Sequence, residues 1–295
     1  MPLHPQIAEV LATLPAPPPG PLDPVAMRAG EEAQVPPVDQ RLPVASVEDA
    51  TIAGVPVRVY ADAEAPGGVL VYLHGGAFFL GSLETHDHVA RELAKATGLR
   101  VVSVGYRLAP EHAFPAGLDD CYAVVRTLAA EGPRVLAVAG DSSGGTFVAA
   151  IAAMAHDDGV PVTHQVLYYP SLDLDFDTSR YASLVENAVG YGLETAGLKP
   201  FNAFYLESGA DPADPRVSPI KREDLSGLPA ALVVTGELDP LRDEGELYGR
   251  RLQEAGVRAV VSRYAGAGHG FVQHFSWIPD YHRVFEETAS FLKED

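Results

Sequence analysis

The sequence predicts an α/β fold: a mainly parallel eight-stranded sheet with helices on both faces and a helical cap over one end. Three observations predict it. The first is a set of short apolar runs, "GVLVYLHG", "LRVVSVGY", "RVLAVAG", "THQVLYY", "PAALVVTG" and "RAVVSRY", which have the near-continuous hydrophobicity of strands buried on both faces. The second is that helical segments fall around these runs, near Thr85–Thr97, Pro115–Ala130, Gly144–His156, Pro240–Ala255 and Asp280–Lys293. Strand and helix in alternation imply right-handed crossovers and parallel pairing. The third is length: 295 residues bury one large core with room for an accessory segment.

The elements follow in order. Ile7, Val10, Leu11 and Leu14 recur at helical spacing, so the chain starts with a short amphipathic helix. "PAPPPGPLDP" is an extended linker, because proline fixes φ and lacks the amide donor. A second short helix starts after Pro24. "VASVED" and "GVPVRVYA" alternate and read as a hairpin of half-buried strands. They bring the strand total to eight. Residues 172–228 hold no buried strand but carry Asp-rich turns and a helix near Ala196–Glu207. That is too long for a connecting loop. It reads as an insertion that joins the N-terminal helices to cover the carboxyl ends of the strands. The resulting division is cap residues 1–43, core 44–171, cap insertion 172–228 and core 229–295.

Composition narrows the function classes. The formal net charge is −19, and no Lys/Arg-rich run relieves it. Such a surface repels nucleic acid and anionic lipid, and solubility is the simplest reading of the acidity. No apolar run is long enough for a bilayer span. The N-terminus lacks the basic region of a signal peptide, so a cytoplasmic protein is expected. The one cysteine, Cys121, sits in an apolar helical pattern and is expected in the core.

The chemistry centres on "VLAVAGDSSGGTFVAA". Gly140-x-Ser142-x-Gly144 lies between a strand and a helix, the context of a nucleophile elbow. A sharp turn there exposes the Ser142 hydroxyl, while the glycines remove β-carbons that would collide with strand and helix. The competing readings are weaker. A phosphate loop would need a lysine at the helix start, and a dinucleotide fingerprint would need G-x-G-x-x-G, which neither this loop nor "GAGHGF" supplies. The G-D-S-G-G of trypsin-like proteases is a superficial match, since those chains are all-β and run His, Asp, Ser. A purely structural turn remains the main alternative for the loop taken alone.

Downstream residues complete a set. Asp239 in "ALVVTGELDPLRDEG" and His269 in "VVSRYAGAGHGF" each follow a strand. They give the chain order Ser, acid, His. Asp239 could also cap a helix, given Pro240, and Asp243 is the alternative acid. Upstream, His74-Gly75-Gly76-Ala77 follows the first parallel strand. N–H groups of Gly75, Gly76 or Ala77, with that of Ser143, can form an oxyanion hole. The pair His86 and His88 lacks further ligands at metal spacing, so no metal and no cofactor are expected. Tyr191, Phe201, Phe204 and Tyr205 can line a pocket or pack the cap onto the core.

Together "HGGAFFLGSLETHD", "YRLAPEHAFPA", "GDSSGG", "DPLRDEG" and "GHGF" make the chain resemble the bacterial hormone-sensitive-lipase-like esterases, family IV of the lipolytic α/β hydrolases. The resemblance covers nearly the whole chain. It implies the α/β-hydrolase fold with a cap, and a serine carboxylesterase with Ser142 as nucleophile, His269 as base and Asp239 as its orienting acid. Short to medium acyl esters and a dimer through "RAVVSRY" also follow from it. Two positions depart from the family motifs. Ala77 replaces the last glycine of H-G-G-G, and Ser143 replaces the usual alanine. The Ser143 hydroxyl is expected to cap the helix, His74 to be structural, and Glu111 to pair with Arg107 or nearby backbone. The triad alone leaves open an amidase or lactonase on the same site, or a non-catalytic small-molecule receptor.

Overall fold

The computed structural model describes residues 2–13, 20–62 and 67–293. Leu14 and the prolines at 15–19, part of the expected first helix and linker, lie outside the described residues. The chain runs α1 (Pro5–Thr13), α2 (Pro24–Glu32), β1 (Ser46–Ile52), β2 (Val55–Ala61), β3 (Gly68–Leu73), α3 (Asp87–Thr97), β4 (Arg100–Val104) and α4 (Ala116–Ala129). It continues with β5 (Val135–Asp141), α5 (Ser143–Asp158), β6 (His164–Tyr168), α6 (Ser183–Glu186) and α7 (Thr195–Leu206). The last elements are β7 (Ala230–Gly236), α8 (Arg242–Glu254), β8 (Ala259–Tyr264), α9 (Phe271–His274) and α10 (Pro279–Phe291).

Among the described residues, eight strands form one sheet in the order β1-β2-β4-β3-β5-β6-β7-β8. β2 pairs antiparallel with β1 and β4, and every other pairing is parallel. Alternate side chains of one strand face opposite layers. In β3, Val69, Val71 and Leu73 join the layer with α4, α5 and α8, whereas Leu70 and Tyr72 join the layer with α3 and α10. Every residue of β3 and β6 is buried, which explains why these segments are apolar without alternation. β1 is different: it is mostly exposed rather than half-buried, because it is an edge strand with a neighbour on one side only. β8 forms the other edge, with Val260 40% exposed, and would be the strand to carry any pairing of two copies.

The strand order places the site. From β3 the chain crosses to β4 on one side, then returns through α4 to β5 on the other. The two connections leave in opposite directions, so a crevice opens at the carboxyl ends of β3 and β5. Local structure shifts some helix starts. α3 begins at Asp87 rather than Thr85, because Ser82 and Thr85 bond each other's backbone in a preceding turn. α8 begins at Arg242, after Asp239 Oδ1 has accepted the Leu241 N–H at 2.8 Å.

Candidate active site

The sharpest local feature lies at the end of β5. Ser142 has φ 54° and ψ −119°, a strained conformation for an L-residue. Its surroundings hold it there. Its N–H donates to the Tyr168 carbonyl at 2.9 Å, and its own carbonyl accepts the Ser171 N–H at 3.1 Å. The flanking glycines are sterically required. A β-carbon on Gly144 would sit 2.0 Å from the Leu73 carbonyl oxygen, and one on Gly145 2.6 Å from Pro170 Cβ. Strand and helix therefore approach more closely than any side chain permits.

Two other loops reach this turn. Asp239 follows β7 and is fully buried, and His269 lies in the loop after β8. His269 Nδ1 is 2.8 Å from Asp239 Oδ2, and His269 Nε2 is 2.9 Å from Ser142 Oγ. A carboxylate can only accept, so Nδ1 carries the proton and Nε2 offers its lone pair to the Ser142 hydroxyl. The Asn187 amide further fixes Asp239 through its backbone carbonyl at 3.0 Å. Asp243, the alternative acid, is turned elsewhere: it accepts the Ser183 N–H at 2.9 Å and pairs with Arg242.

The loop after β3 supplies N–H groups, with one correction to the expected set. The Gly75 N–H donates to Asp141 Oδ1 at 2.9 Å, so it is committed and drops out as a free donor. The Gly76, Ala77 and Ser143 amides carry no such bond among the described residues. Ala77 has φ 49° and Phe78 φ 66°. The loop thus takes a left-handed path at the position where alanine replaces glycine. The Ser143 hydroxyl is a second correction. It does not cap α5; it accepts the Phe78 N–H at 3.3 Å, which ties the loop to the helix start.

Asp141 was missed by motif reasoning. It is buried, and Oδ1 also accepts the Tyr72 hydroxyl at 2.6 Å. Burial alone would raise its pKa, but His86 beside it and the Tyr72 hydroxyl outweigh that and bring it to about 2. Its signal was an acid at the end of a fully buried strand, which demands partners. His74 is stacked on Tyr106 with ring centroids 4.2 Å apart and bonds the Gly75 carbonyl. Burial lowers its pKa to about 3, so it stays neutral and acts as a brace.

N-terminal helix α2, expected as part of the cap, makes contacts that the sequence did not reveal. Arg28 donates to the Phe79 and Ala109 carbonyls at 2.7 and 2.6 Å and pairs with Glu111 at 2.8 Å. Glu111 therefore pairs with Arg28 rather than Arg107, which binds Asp120 instead. Glu31 accepts the Gly81 N–H at 3.1 Å. The helix is clipped onto the loop from both sides.

These pieces enclose a cavity of about 560 Å³ that reaches Ser142, His269, Gly76 and Ala77. Ile7, Leu11, Tyr191 and Phe201 line it. Phe204 and Tyr205 take the packing role, against Phe79 and Phe78. Cys121 is buried in the core. Among the described residues, no group of three His, Cys, Asp or Glu side chains is placed to hold a metal ion, and no helix is long and apolar enough to cross a membrane.

A serine, a histidine and a buried carboxylate joined in one hydrogen-bonded line, on loops at the carboxyl ends of a mainly parallel sheet, define a protein of the α/β-hydrolase class. Comparison with known proteins agrees. Residues 70–273 match the alpha/beta hydrolase fold family, and the chain belongs to it. A carboxylesterase of Mycobacterium tuberculosis, NlhH, is 40% identical over 81% of this chain and 79% of its own length. An arylesterase of Saccharolobus solfataricus is 38% identical over 74% of this chain and 73% of its own. The solved structure of a hyperthermophilic esterase from Pyrobaculum calidifontis superposes with TM-score 0.89 and 42% identity, covering 99% of this chain and 98% of that one.

Proposed function

We propose that this protein is a carboxylic ester hydrolase of the hormone-sensitive-lipase-like group, working through Ser142, His269 and Asp239. The observation that carries the proposal is the 2.9 Å and 2.8 Å pair of contacts on the two nitrogens of His269. The relatives named as carboxylesterase and arylesterase support the same reading.

Ser142 Oγ attacks the ester carbonyl carbon while His269 Nε2 takes its proton. The carbonyl π pair moves onto oxygen. Gly76 or Ala77, with Ser143, donates N–H groups to that oxyanion; one such donor is worth about 10²–10³ in rate. The oxyanion collapses, the bond to the alcohol oxygen breaks, and His269 returns the proton to the leaving alcohol. Water, deprotonated by His269, then splits the acyl-enzyme by the same route. Asp239 holds the imidazole tautomer and stabilises its cation. The helices before β1 and the segment between β6 and β7 serve as a cap that keeps water out during acyl transfer, and the site works in the cytoplasm on short to medium acyl chains.

Replacing Ser142 with alanine should lower turnover of p-nitrophenyl butyrate by about 10⁶-fold with the fold retained. Near-normal turnover in that variant would remove Ser142 from its role.

A further inference from the structure

A second cavity of about 280 Å³ adjoins the one at Ser142, and Glu31, Gln34, Gln273 and His274 line both. Glu31 lies in the last turn of α2, and Gln34 follows in the next turn, its N–H donating to the Glu31 carbonyl at 3.0 Å. Gln273 and His274 come from α9, just after His269. A β-carbon on Gly270 would sit 2.9 Å from His274 Cδ2, so this ring lies over the residue that follows His269.

Internal bonding leaves polar atoms of this wall free for a ligand. Glu31 uses Oε2 on the Gly81 N–H, which leaves Oε1. Gln34 donates Nε2 to the Gly30 carbonyl at 3.1 Å, which leaves its carbonyl oxygen. His274 has only an edge-on contact with Phe275, at 6.3 Å between centroids. Neither of its ring nitrogens has a hydrogen-bond partner among the described residues, although the ring is open to the cavity. The His274 side chain is exposed, and a neutral imidazole offers one N–H donor and one lone pair. The wall thus offers acceptors on Glu31 and Gln34 and both donors and acceptors on Gln273 and His274, a mixture that a hydroxyl matches because it both donates and accepts. The carboxylates deeper in the second cavity are not free to demand a cation: Glu84 and Asp87 are both bridged by Arg41. Elsewhere the Ser142 cavity carries apolar side chains, including Ile7, Leu11, Phe79 and Phe201.

We propose that the Glu31–Gln34–Gln273–His274 wall recognises a hydroxyl group on the non-reacting part of the ester, so that hydroxyl-bearing esters are the preferred substrate class. The proposal rests on the ester-hydrolase reading above. A plain hydrocarbon chain strips water from these groups and returns nothing, whereas a hydroxyl replaces the lost bonds.

Matched esters test this. On the acyl side the pair is p-nitrophenyl hexanoate and p-nitrophenyl 6-hydroxyhexanoate; on the alcohol side it is butyl butyrate and 4-hydroxybutyl butyrate. The hydroxyl-bearing member should have the higher kcat/KM in at least one pair, by about tenfold. His274→Phe and, separately, Gln34→Leu should bring that ratio towards one. Gln34 lies at an exposed helix end, so its variant folds even if the histidine variant does not. A wild-type ratio of one in both pairs overturns the proposal, as does a ratio that neither substitution moves. If no ester is turned over, the ester-hydrolase reading fails by itself. Calorimetric binding of the same esters to Ser142→Ala then decides: tighter binding of the hydroxyl-bearing member supports the wall, and equal affinity refutes it.

Discussion

Asp141 offers the most discriminating perturbation. Its Oδ1 accepts both the Tyr72 hydroxyl and the Gly75 N–H, while Oδ2 faces His86 Nε2 at 3.6 Å. Asparagine keeps an oxygen where Oδ1 stands and can turn its amide nitrogen towards His86 Nε2, which has no hydrogen-bond partner. Alanine removes both acceptors. Each buried donor left unpaired costs about 1–3 kcal/mol, so Asp141→Ala should lose about 2–6 kcal/mol. Asp141→Asn gives up only the charge-assisted part of two bonds, about 1–2 kcal/mol. The tether on Gly75 also aims the following amides, so the alanine variant should lose about 10²-fold in kcat, and the asparagine variant about tenfold or less. Urea unfolding and kcat for p-nitrophenyl butyrate check both numbers. The carboxyl is held below its ordinary 3.8, at about 2. Its stabilising contribution is thus complete above the unfolded value and lost as pH falls through about 2; Asp141→Asn should lack that step. Equal stability of the two variants, or an alanine variant that unfolds easily yet keeps full kcat, would refute the reasoning.

Glu244 should behave in the opposite sense. Burial pushes its carboxyl well above the ordinary 4.5, Oε1 accepts the Leu172 N–H at 2.6 Å, and Oε2 has no partner. A raised value contributes stability that is complete below the unfolded pKa and is lost as pH rises through the folded one. Glu244→Gln should therefore match wild type near pH 4 and exceed it at pH 8 in urea unfolding; a variant less stable at pH 8 would contradict this. Ala77→Gly should be stabilising, because alanine at φ 49° costs about 1–2 kcal/mol, offset by about 0.4–1 kcal/mol of extra chain entropy in the unfolded state. The melting temperature should rise by about 1–2 °C with kcat retained, since the N–H is unchanged; a fall would show that the Ala77 methyl packs usefully.

The division between sequence and tertiary structure follows from what each kind of signal encodes. Burial on both faces of a central strand leaves an unbroken apolar run, so β3 to β7 were legible, and so was the turn at Ser142, whose glycines exist because backbone meets backbone there. The order Ser142, Asp239, His269 was legible because each residue lies shortly after a strand, and parallel topology brings those ends together. Partners far apart in the chain were not. Nothing local in Arg28 points to Glu111, and nothing in "HGGA" says that the Gly75 amide is already bound to Asp141. The Ser143 hydroxyl is a similar case. Its helix-start position suggests a cap, but it accepts instead the N–H of Phe78, 65 residues earlier. The sequence alone determined the fold class and the three residues of the hydrogen-bonded line. Only the tertiary structure decided which amides remain free for an oxyanion and which side chains of α2 grip the loop after β3, because those outcomes depend on which donors have already found acceptors across the folded chain.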